Sequence, residues 1–415
     1  MRSKPTDFAK GQWNDVESPL AAAVDIGTTT LAVYLLDGVT GTVLSVKSMM
    51  NPQKECGLDV TDRCRYALKN GAEILEKYVR ESVNVLLREA ALECGRSRED
   101  VVRIVMAGNS CMHHLFLGIP TDTLAVKPCQ PKVLESLCLR AADYGIYAHP
   151  YAQLWWLPNL GGFVGADTTA CILDCGLWEQ KETALLIDVG TSVELVLGNR
   201  DGFSVCSVAT GPVFEGGRIS CGMRNCEGAI DQVSLEDGKL KTHVIGDGRA
   251  IGIGGSGFVD AAACLLKTGE IDQNGRIERP CFLAPKVAVR QQDIRELQLA
   301  KAAVAAGIQA MCIHRKMEIG EIQQVFLAGS FGNNLNPESV CRIGMIPMEL
   351  ENRIRMLGNA AGDGAQLVAR NEREFERCAA FAQKADFLEL AHSPGFQEVY
   401  IKEMRFPEGS CFSLW

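Results

Sequence analysis

One short polar turn occurs twice in this chain of 415 residues, and the repetition limits the fold more than any other feature. Asp25-Ile26-Gly27-Thr28-Thr29-Thr30 lies between two apolar runs of strand length, 21–24 and 31–36; Asp188-Val189-Gly190-Thr191-Ser192 lies between 184–187 and 193–197. In each copy a second turn follows, Asp37-Gly38-Val39-Thr40-Gly41 in one and Asn199-Arg200-Asp201-Gly202 in the other. Each then leads into a third run, 42–46 and 203–208. Apolar and β-branched runs bounded by Gly, Asp and Thr read as strands joined by tight turns. The chain therefore reads as a duplication of one hairpin-plus-strand unit.

A tight turn of Gly and Thr exposes backbone amides and hydroxyls, the groups that hold phosphate oxygens, and an Asp at the strand end can hold magnesium or its waters. A lone copy reads better as a solvated β-turn than as a phosphate loop. Two copies in the same setting point to paired phosphate loops gripping a nucleotide from both sides, with Gly27, Thr28, Thr29, Gly190 and Thr191 on the phosphates. Asp25 and Asp188 would then converge on the metal, since two carboxylates brought together repel unless a cation lies between them.

The length allows two substantial cores, so two domains are expected. A net charge of -9 with a pI near 5.4 argues against a nucleic-acid partner. The first twenty residues contain no apolar run fit for a signal peptide or a membrane span, which makes a cytoplasmic protein without membrane contact the expectation. Seventeen cysteines, an odd number with no C-x-x-C pair, suit a reducing interior, and no iron-sulfur or zinc spacing is present among them.

Along the chain, residues 1–20 read as a leader. Val60, Cys64, Ala67, Leu68, Leu75, Val79, Val83, Leu86, Leu87 and Ala90 recur at helical spacing between Asp59 and Glu93, predicting one or two helices. A β-rich run at 101–106 ends in Gly108-Asn109 ahead of a helix; the aromatic stretch 144–156 reads as irregular. Gly161-Gly162-Phe163-Val164-Gly165 precedes a helix whose first turn carries Asp167, and Gly252-Ile253-Gly254-Gly255-Ser256-Gly257 opens another. A long helix over about 293–317 buries Ile294, Leu297, Leu299, Val304, Ile308 and Met311. A strand at 325–328 runs into Gly329-Ser330-Phe331-Gly332, Gly358-Asn359-Ala360-Ala361 starts a further helix, and 398–404 reads as a closing strand.

As an ordered set, these motifs resemble the actin, sugar-kinase, heat-shock-chaperone and acetate-kinase superfamily. Within it, the whole chain is similar to the ATPase part of the reductive activators of corrinoid-dependent enzymes. The resemblance is carried by Asp25-Ile26-Gly27-Thr28-Thr29, Asn51-Pro52-Gln53, Gly108-Asn109, Pro158-Asn159-Leu160-Gly161-Gly162, Gly165-Ala166-Asp167-Thr168, Asp188-Val189-Gly190-Thr191 and Gly211-Pro212-Val213-Phe214-Glu215-Gly216. Further on it is carried by Gly254-Gly255-Ser256-Gly257, Gln291-Gln292-Asp293-Ile294-Arg295 and Ala328-Gly329-Ser330-Phe331-Gly332.

The resemblance implies an α/β protein of two ribonuclease-H-like domains with a nucleotide cleft between them, here 21–182 with a helical insert and 183–390, and a C-terminal strand in 391–415 packing back on the core. It implies ATP and magnesium as cofactors and the ATP-driven return of a corrinoid protein or corrinoid methyltransferase from cob(II)alamin to cob(I)alamin. No iron-sulfur cluster is expected here, because the N-terminal ferredoxin-like part of the pattern is not found ahead of residue 21. A separate ferredoxin-type donor is expected instead, and a homodimer is the family expectation.

By similarity to the chaperones, which carry a Glu before a Thr-Ala-rich helix, Asp167 is the candidate for orienting the attacking water. Gly254, Gly255, Ser256 and Gly257, with Gly329, Ser330 and Gly332, are the candidates for adenosine, where absent side chains let the backbone approach the base and ribose. A small-molecule kinase with Asp167 as base and a nucleotide-sensing scaffold are the rival readings. Gly252-x-Gly254-x-x-Gly257 also matches the dinucleotide fingerprint, but the acidic position beyond it, Asp272, falls in a polar turn. The pair His113-His114 reads as packing and Arg224 as a solvated turn residue.

Overall fold

A computed structural model of the chain describes residues 16–329, 335–393 and 395–408. The expected leader residues 1–15, together with Ser330, Phe331, Gly332, Asn333 and Asn334, lie outside the described residues. Contacts divide the chain into two units. The first runs up to Glu179 and adds Arg200–Val205 and Asn359–Phe387; the second holds Gln180–Asn199, Cys206–Gly358 and the chain from Leu388 onward.

In the first unit, strands β1 (Leu20–Ile26), β2 (Thr30–Asp37) and β3 (Val43–Met50) form an antiparallel meander. β1 is apolar on both faces and buried, as a central strand must be, whereas β3 at the edge alternates exposed positions with ones that are half-buried or, at Ser45, buried. Helices α1 (Val60–Asn70) and α2 (Glu73–Glu93) follow, separated at Gly71, whose positive φ ends the first of them. Strand β4 (Val101–Gly108) pairs in parallel with β1 and turns through Asn109, which caps α3 (Ser110–Leu117). The short α4 (Asp122–Ala125) and strands β5 (Leu137–Arg140) and β6 (Gln153–Trp156) come next, then α5 (Ala166–Cys175). The sheet order is β3-β2-β1-β4-β6-β5. The stretch expected to be irregular therefore contains β6, a fully buried strand parallel to β4; with four residues and no alternation it carries no period to read.

In the second unit, β7 (Ala184–Val189) and β8 (Val193–Asn199) repeat the hairpin, and β9 (Gly202–Val208) follows, its residues from Cys206 on grouped with this unit. Two strands the sequence did not signal, β10 (Ala229–Glu236) and β11 (Lys239–Val244), pair across Asp237-Gly238, both with positive φ. β11 alternates between exposed and half-buried positions, so it presents no apolar face to recognise. After β12 (Gly252–Ile253) comes α6 (Gly255–Thr268), then the hairpin β13 (Cys281–Ala284) and β14 (Val287–Val289), then the 25-residue α7 (Gln291–Arg315). Strand β15 (Gln324–Ala328) is parallel to both β7 and β16 (Ile354–Gly358), and α8 (Pro337–Arg342) lies between β15 and β16 in the chain. The hairpin-plus-parallel-strand relation of β1, β2 and β4 is thus repeated by β7, β8 and β15.

The chain then contributes α9 (Ala360–Arg370), α10 (Glu372–Ala382) and β17 (Ala385–Phe387) to the first unit, where α9 packs on α5, β1 and β4. The Cα of Gly364 lies so close to Ala170 that a Cβ would meet its carbonyl oxygen at 2.0 Å, so helix crosses helix at backbone distance. Residues 359–387, expected within the second domain, are grouped by their contacts with the first.

The closing strand expected over 398–404 is instead a helix, α11 (Phe396–Glu403). Val399 and Ile401 suggest a period of two, but Ile401 is 65% exposed, and Phe396 and Tyr400, spaced i and i+4, pack on the core beside α7. Leu299, expected on the buried face of α7, is 43% exposed, because two residues beyond Leu297 a helix has turned most of the way to its opposite side.

Past α11 the chain is fastened to α7 by Gln298 Nε2 donating to Met404 O at 2.7 Å and Lys301 Nζ donating to Arg405 O at 2.6 Å. Lys301 is fully buried, with its ammonium over the Phe406 ring, and burial pulls its pKa down from 10.5 to about 8. The folded chain then holds fewer protons than the unfolded chain between those values, so stability rises with pH across that window, by about 3 kcal/mol at most. Urea midpoints across that window should rise for the parent chain, and Lys301→Met should flatten the slope.

Candidate nucleotide site

The first turn sits where β1 ends and β2 begins. Asp25 is half-buried amid buried neighbours, and Gly27 N donates to Thr30 O at 3.0 Å; a Cβ on Gly27 would lie 2.6 Å from that oxygen, so the turn requires glycine. Three elements fasten the turn from outside. Asn51 Nδ2 donates to Gly27 O at 3.0 Å, and Arg63 Nη2 to Thr28 O at 2.6 Å. Asn109 Nδ2 donates to Thr28 Oγ1 at 3.0 Å. Arg63 is fully buried, and its other donors reach Gly57 O at 3.0 Å and Gln53 Oε1 at 3.1 Å.

Asp25 itself is held by the start of α9. Asn359 Nδ2 donates to Asp25 Oδ2 at 3.0 Å and to Tyr34 OH at 2.9 Å, while Asn359 Oδ1 caps the helix by accepting from Gly362 N. Burial and the charge of Asp25 push the Tyr34 phenol up to about 12, so it remains a neutral hydroxyl. Gly362 has no side chain to displace that hydroxyl, which lies 2.7 Å from where its Cβ would be.

Asp167 is in the first turn of α5, with Oδ1 accepting from Thr168 N at 2.8 Å. The helix starts at Gly165, whose Cβ would meet Asn109 Cα at 2.4 Å, and Ser110 Oγ donates to Val164 O. The first unit thus packs the Asp167-bearing helix start against the same Asn109 turn that holds Thr28.

The second turn repeats the first with different supports. Asp188 ends β7, half-buried, and pairs across the hairpin with Glu194. Gly190 N donates to Ser192 O at 2.9 Å, and Thr191 Oγ1 donates to Glu215 Oε1 at 2.6 Å. Glu194 is buried and receives Ser192 and Ser207 hydroxyls at 2.6 and 3.1 Å. Burial, and after it the charge of Asp188, push its carboxyl up to about 7. Gly329, with φ +99°, ends β15 against this turn: a Cβ there would lie 2.3 Å from Val189 O and 3.0 Å from Asp188 Oδ1.

Gly254, Gly255, Ser256 and Gly257 form the buried start of α6. Cβ atoms on the three glycines would meet Asn225 Oδ1 at 1.7 Å, Phe214 O at 1.8 Å and Ile230 O at 2.3 Å, and Ser256 Oγ donates to Asp231 O at 2.8 Å. At Gly255 and Gly257 the absent side chain brings backbone onto backbone, and at Gly254 it admits the Asn225 amide. Ser330 and Gly332, the remaining adenosine candidates, lie outside the described residues.

Tyr34, Arg63, Asn109, Glu194, Glu215 and Asn359 support the turns and were not singled out as site residues from sequence. Asn109 and Asn359 carry a signal, each being the Asn after a Gly that ends a strand and opens a helix, and Glu215 lies within the Gly211–Gly216 motif. His113 and His114 are packing residues, as expected; burial draws them down to about 3 and about 4, and His113 meets Trp156 edge-on at 4.9 Å. Among the described residues no group of three or more His, Cys, Asp or Glu is placed to hold a metal ion, and no helix is long and apolar enough to cross a membrane. Hard carboxylate oxygens at two half-open strand ends suit magnesium, which keeps several of its waters.

Comparison with known proteins agrees with this architecture. Residues 20–180 match the family model of the RACo middle region, and residues 182–413 match that of the C-terminal domain of RACo, the ASKHA domain. The chain is 33% identical over 426 residues to the corrinoid activation enzyme RamQ of Eubacterium limosum, covering 95% of this chain and 71% of that protein. It is 24% identical over 425 residues to a Co(II) methylated amine-specific corrinoid protein reductase of Methanosarcina barkeri, covering 92% of this chain and 76% of that one. A solved structure of a reductive activator for corrinoid,iron-sulfur protein superposes with a TM-score of 0.85 at 33% identity, over 94% of this chain and 66% of that chain. The chain spans between 66% and 76% of the length of these relatives. With matched residues running from 20 to 413, this chain belongs to the RACo family of reductive activators of corrinoid proteins and has the actin-like ASKHA fold.

Proposed function

We propose that this protein binds and hydrolyses ATP to drive the one-electron reduction of a partner corrinoid protein from cob(II)alamin to cob(I)alamin, in the cytoplasm, with the electron supplied by a separate ferredoxin-type carrier. The observation that carries the reading is the pair of Asp-x-Gly-Thr turns, each at the equivalent strand end of its own hairpin and each braced by buried polar side chains. Thr28, Thr29 and Thr191, with the amides of Gly27 and Gly190, bind phosphate oxygens. Asp25 and Asp188 hold magnesium, whose chemistry is to neutralise charge building on the phosphates. Asp167 orients the attacking water. Gly329, set against the second turn, and the α6 start at Gly254, Gly255, Ser256 and Gly257 serve the adenosine. A homodimer is part of the reading.

ATP turnover should rise when a purified cob(II)alamin protein is added, and cob(I)alamin absorbance should appear only with ATP and a low-potential reductant. Asp167→Asn should lower turnover about a hundred-fold, the usual scale for a lost general base. Phosphorylation of a sugar or carboxylic acid, with no response to corrinoid protein, would replace this reading by a kinase.

A further inference from the structure

Two thiols lie directly behind the first phosphate turn. Cys64 on α1 and Cys111 on α3 are fully buried, with Sγ atoms 3.5 Å apart. Both stand next to residues that hold Thr28. Arg63, adjacent to Cys64, donates to Thr28 O, and Asn109, two residues before Cys111, donates to Thr28 Oγ1. Met112, the residue after Cys111, places Sδ 3.4 Å from Arg63 Nη1.

Their chemistry also sets them apart from other core cysteines. Burial raises the thiols of Cys206 and Cys378, and those of Cys312 and Cys341 to about 11 and about 12, so these stay protonated and inert. In the pair, the shared contact with Cys111 holds the Cys64 thiol below the ordinary thiol range, while Cys111 is raised. A thiol eased toward ionisation beside one that keeps its proton is an arrangement from which a disulfide forms.

We propose that Cys64 and Cys111 are a reversible dithiol–disulfide pair whose oxidation weakens nucleotide binding at the first turn. Cys64 thiolate attacks a peroxide oxygen, releasing water or hydroxide and leaving a sulfenic acid; Cys111 displaces the second oxygen as water. The two thiols lose two electrons and two protons, and the peroxide is reduced to two waters. An exposed oxidant reaches the pair through local opening of α1, whose buried residues are limited to Val60, Arg63 and Cys64. Closing the bond shortens 3.5 Å to about 2.05 Å. A shift of that size in α1 or α3 spoils the Arg63 and Asn109 bonds to Thr28, whose geometry tolerates far less.

The coupling rests on Thr28 binding phosphate as proposed above. The full chain is titrated with ATP anaerobically, first reduced and then after diamide, an azo compound that takes up both hydrogens and becomes a hydrazine. Peptide mapping should show a linked pair containing Cys64 and Cys111, and ATP affinity should fall about ten-fold, the scale of one or two lost hydrogen bonds, and return with dithiothreitol. Cys64→Ala and Cys111→Ala should each bind ATP as the reduced parent does and ignore diamide. Linkage of other cysteines without a Cys64–Cys111 peptide overturns the pair. A formed pair with unchanged affinity overturns its control of Thr28. A reduced protein that binds no ATP is a failure of the proposed function, seen before any oxidant is added.

Discussion

Asp188→Ala should lower ATP hydrolysis about a hundred-fold or more, because the function proposed above makes this carboxylate a hard oxygen donor where phosphate charge is neutralised. The residue ends β7, whose apolar positions are buried and remain so, and the substitution leaves those contacts intact. A second readout separates loss of the carboxylate from general damage. Glu194 keeps its proton in the folded chain up to about pH 7 and loses it near 4.5 when unfolded. Between those values the native state binds more protons, so stability falls as pH rises. Without the Asp188 charge, Glu194 ionises earlier and that decline is smaller. Urea midpoints at about pH 5 and about pH 7 should converge in the variant relative to the parent. Turnover equal to the parent's would remove Asp188 from the metal site.

The second large effect is on stability. Arg63→Met should destabilise the first unit by about 3 kcal/mol, since it keeps the volume of the side chain and deletes every donor. Thr28 O, Gln53 Oε1 and Gly57 O all accept from this fully buried guanidinium, and buried acceptors left unpaired account for most of the loss. Relief of a buried charge offsets part of it, because burial already draws the Arg63 pKa below its ordinary value. A lower urea midpoint together with weaker ATP binding is the expected pair of observations. A stability loss with unchanged ATP binding would show that Thr28 needs no brace.

Much of the architecture was open to reading because it depends on local order. Each hairpin turn lies within a few residues of its strands, and each polar turn interrupts an apolar run, so both copies were visible as patterns. The helix from 293 and the helix starts at Ala166, Gly255 and Ala360 were legible for the same reason: a cap or glycine precedes a regular apolar spacing. What lacked a local period was missed. β6 is too short, β11 presents no apolar face, and the apolar residues of α11 fit a strand's period as well as a helix's until α7 chooses one.

The repeated Asp-x-Gly-Thr turn was determined by sequence alone, as were its likeness to a phosphate loop and the family pattern around it. Which side chains hold it was decided only in three dimensions. Asn359 reaches Asp25 across 334 positions of chain, and Asn109 reaches Thr28 across 81. Hydrogen bonds between residues so far apart leave no trace in spacing or composition, because they exist only once α9 and α3 have packed on β1 and β4. For the same reason Cys64 and Cys111, two ordinary core cysteines in the sequence, become a dithiol only when α1 and α3 meet.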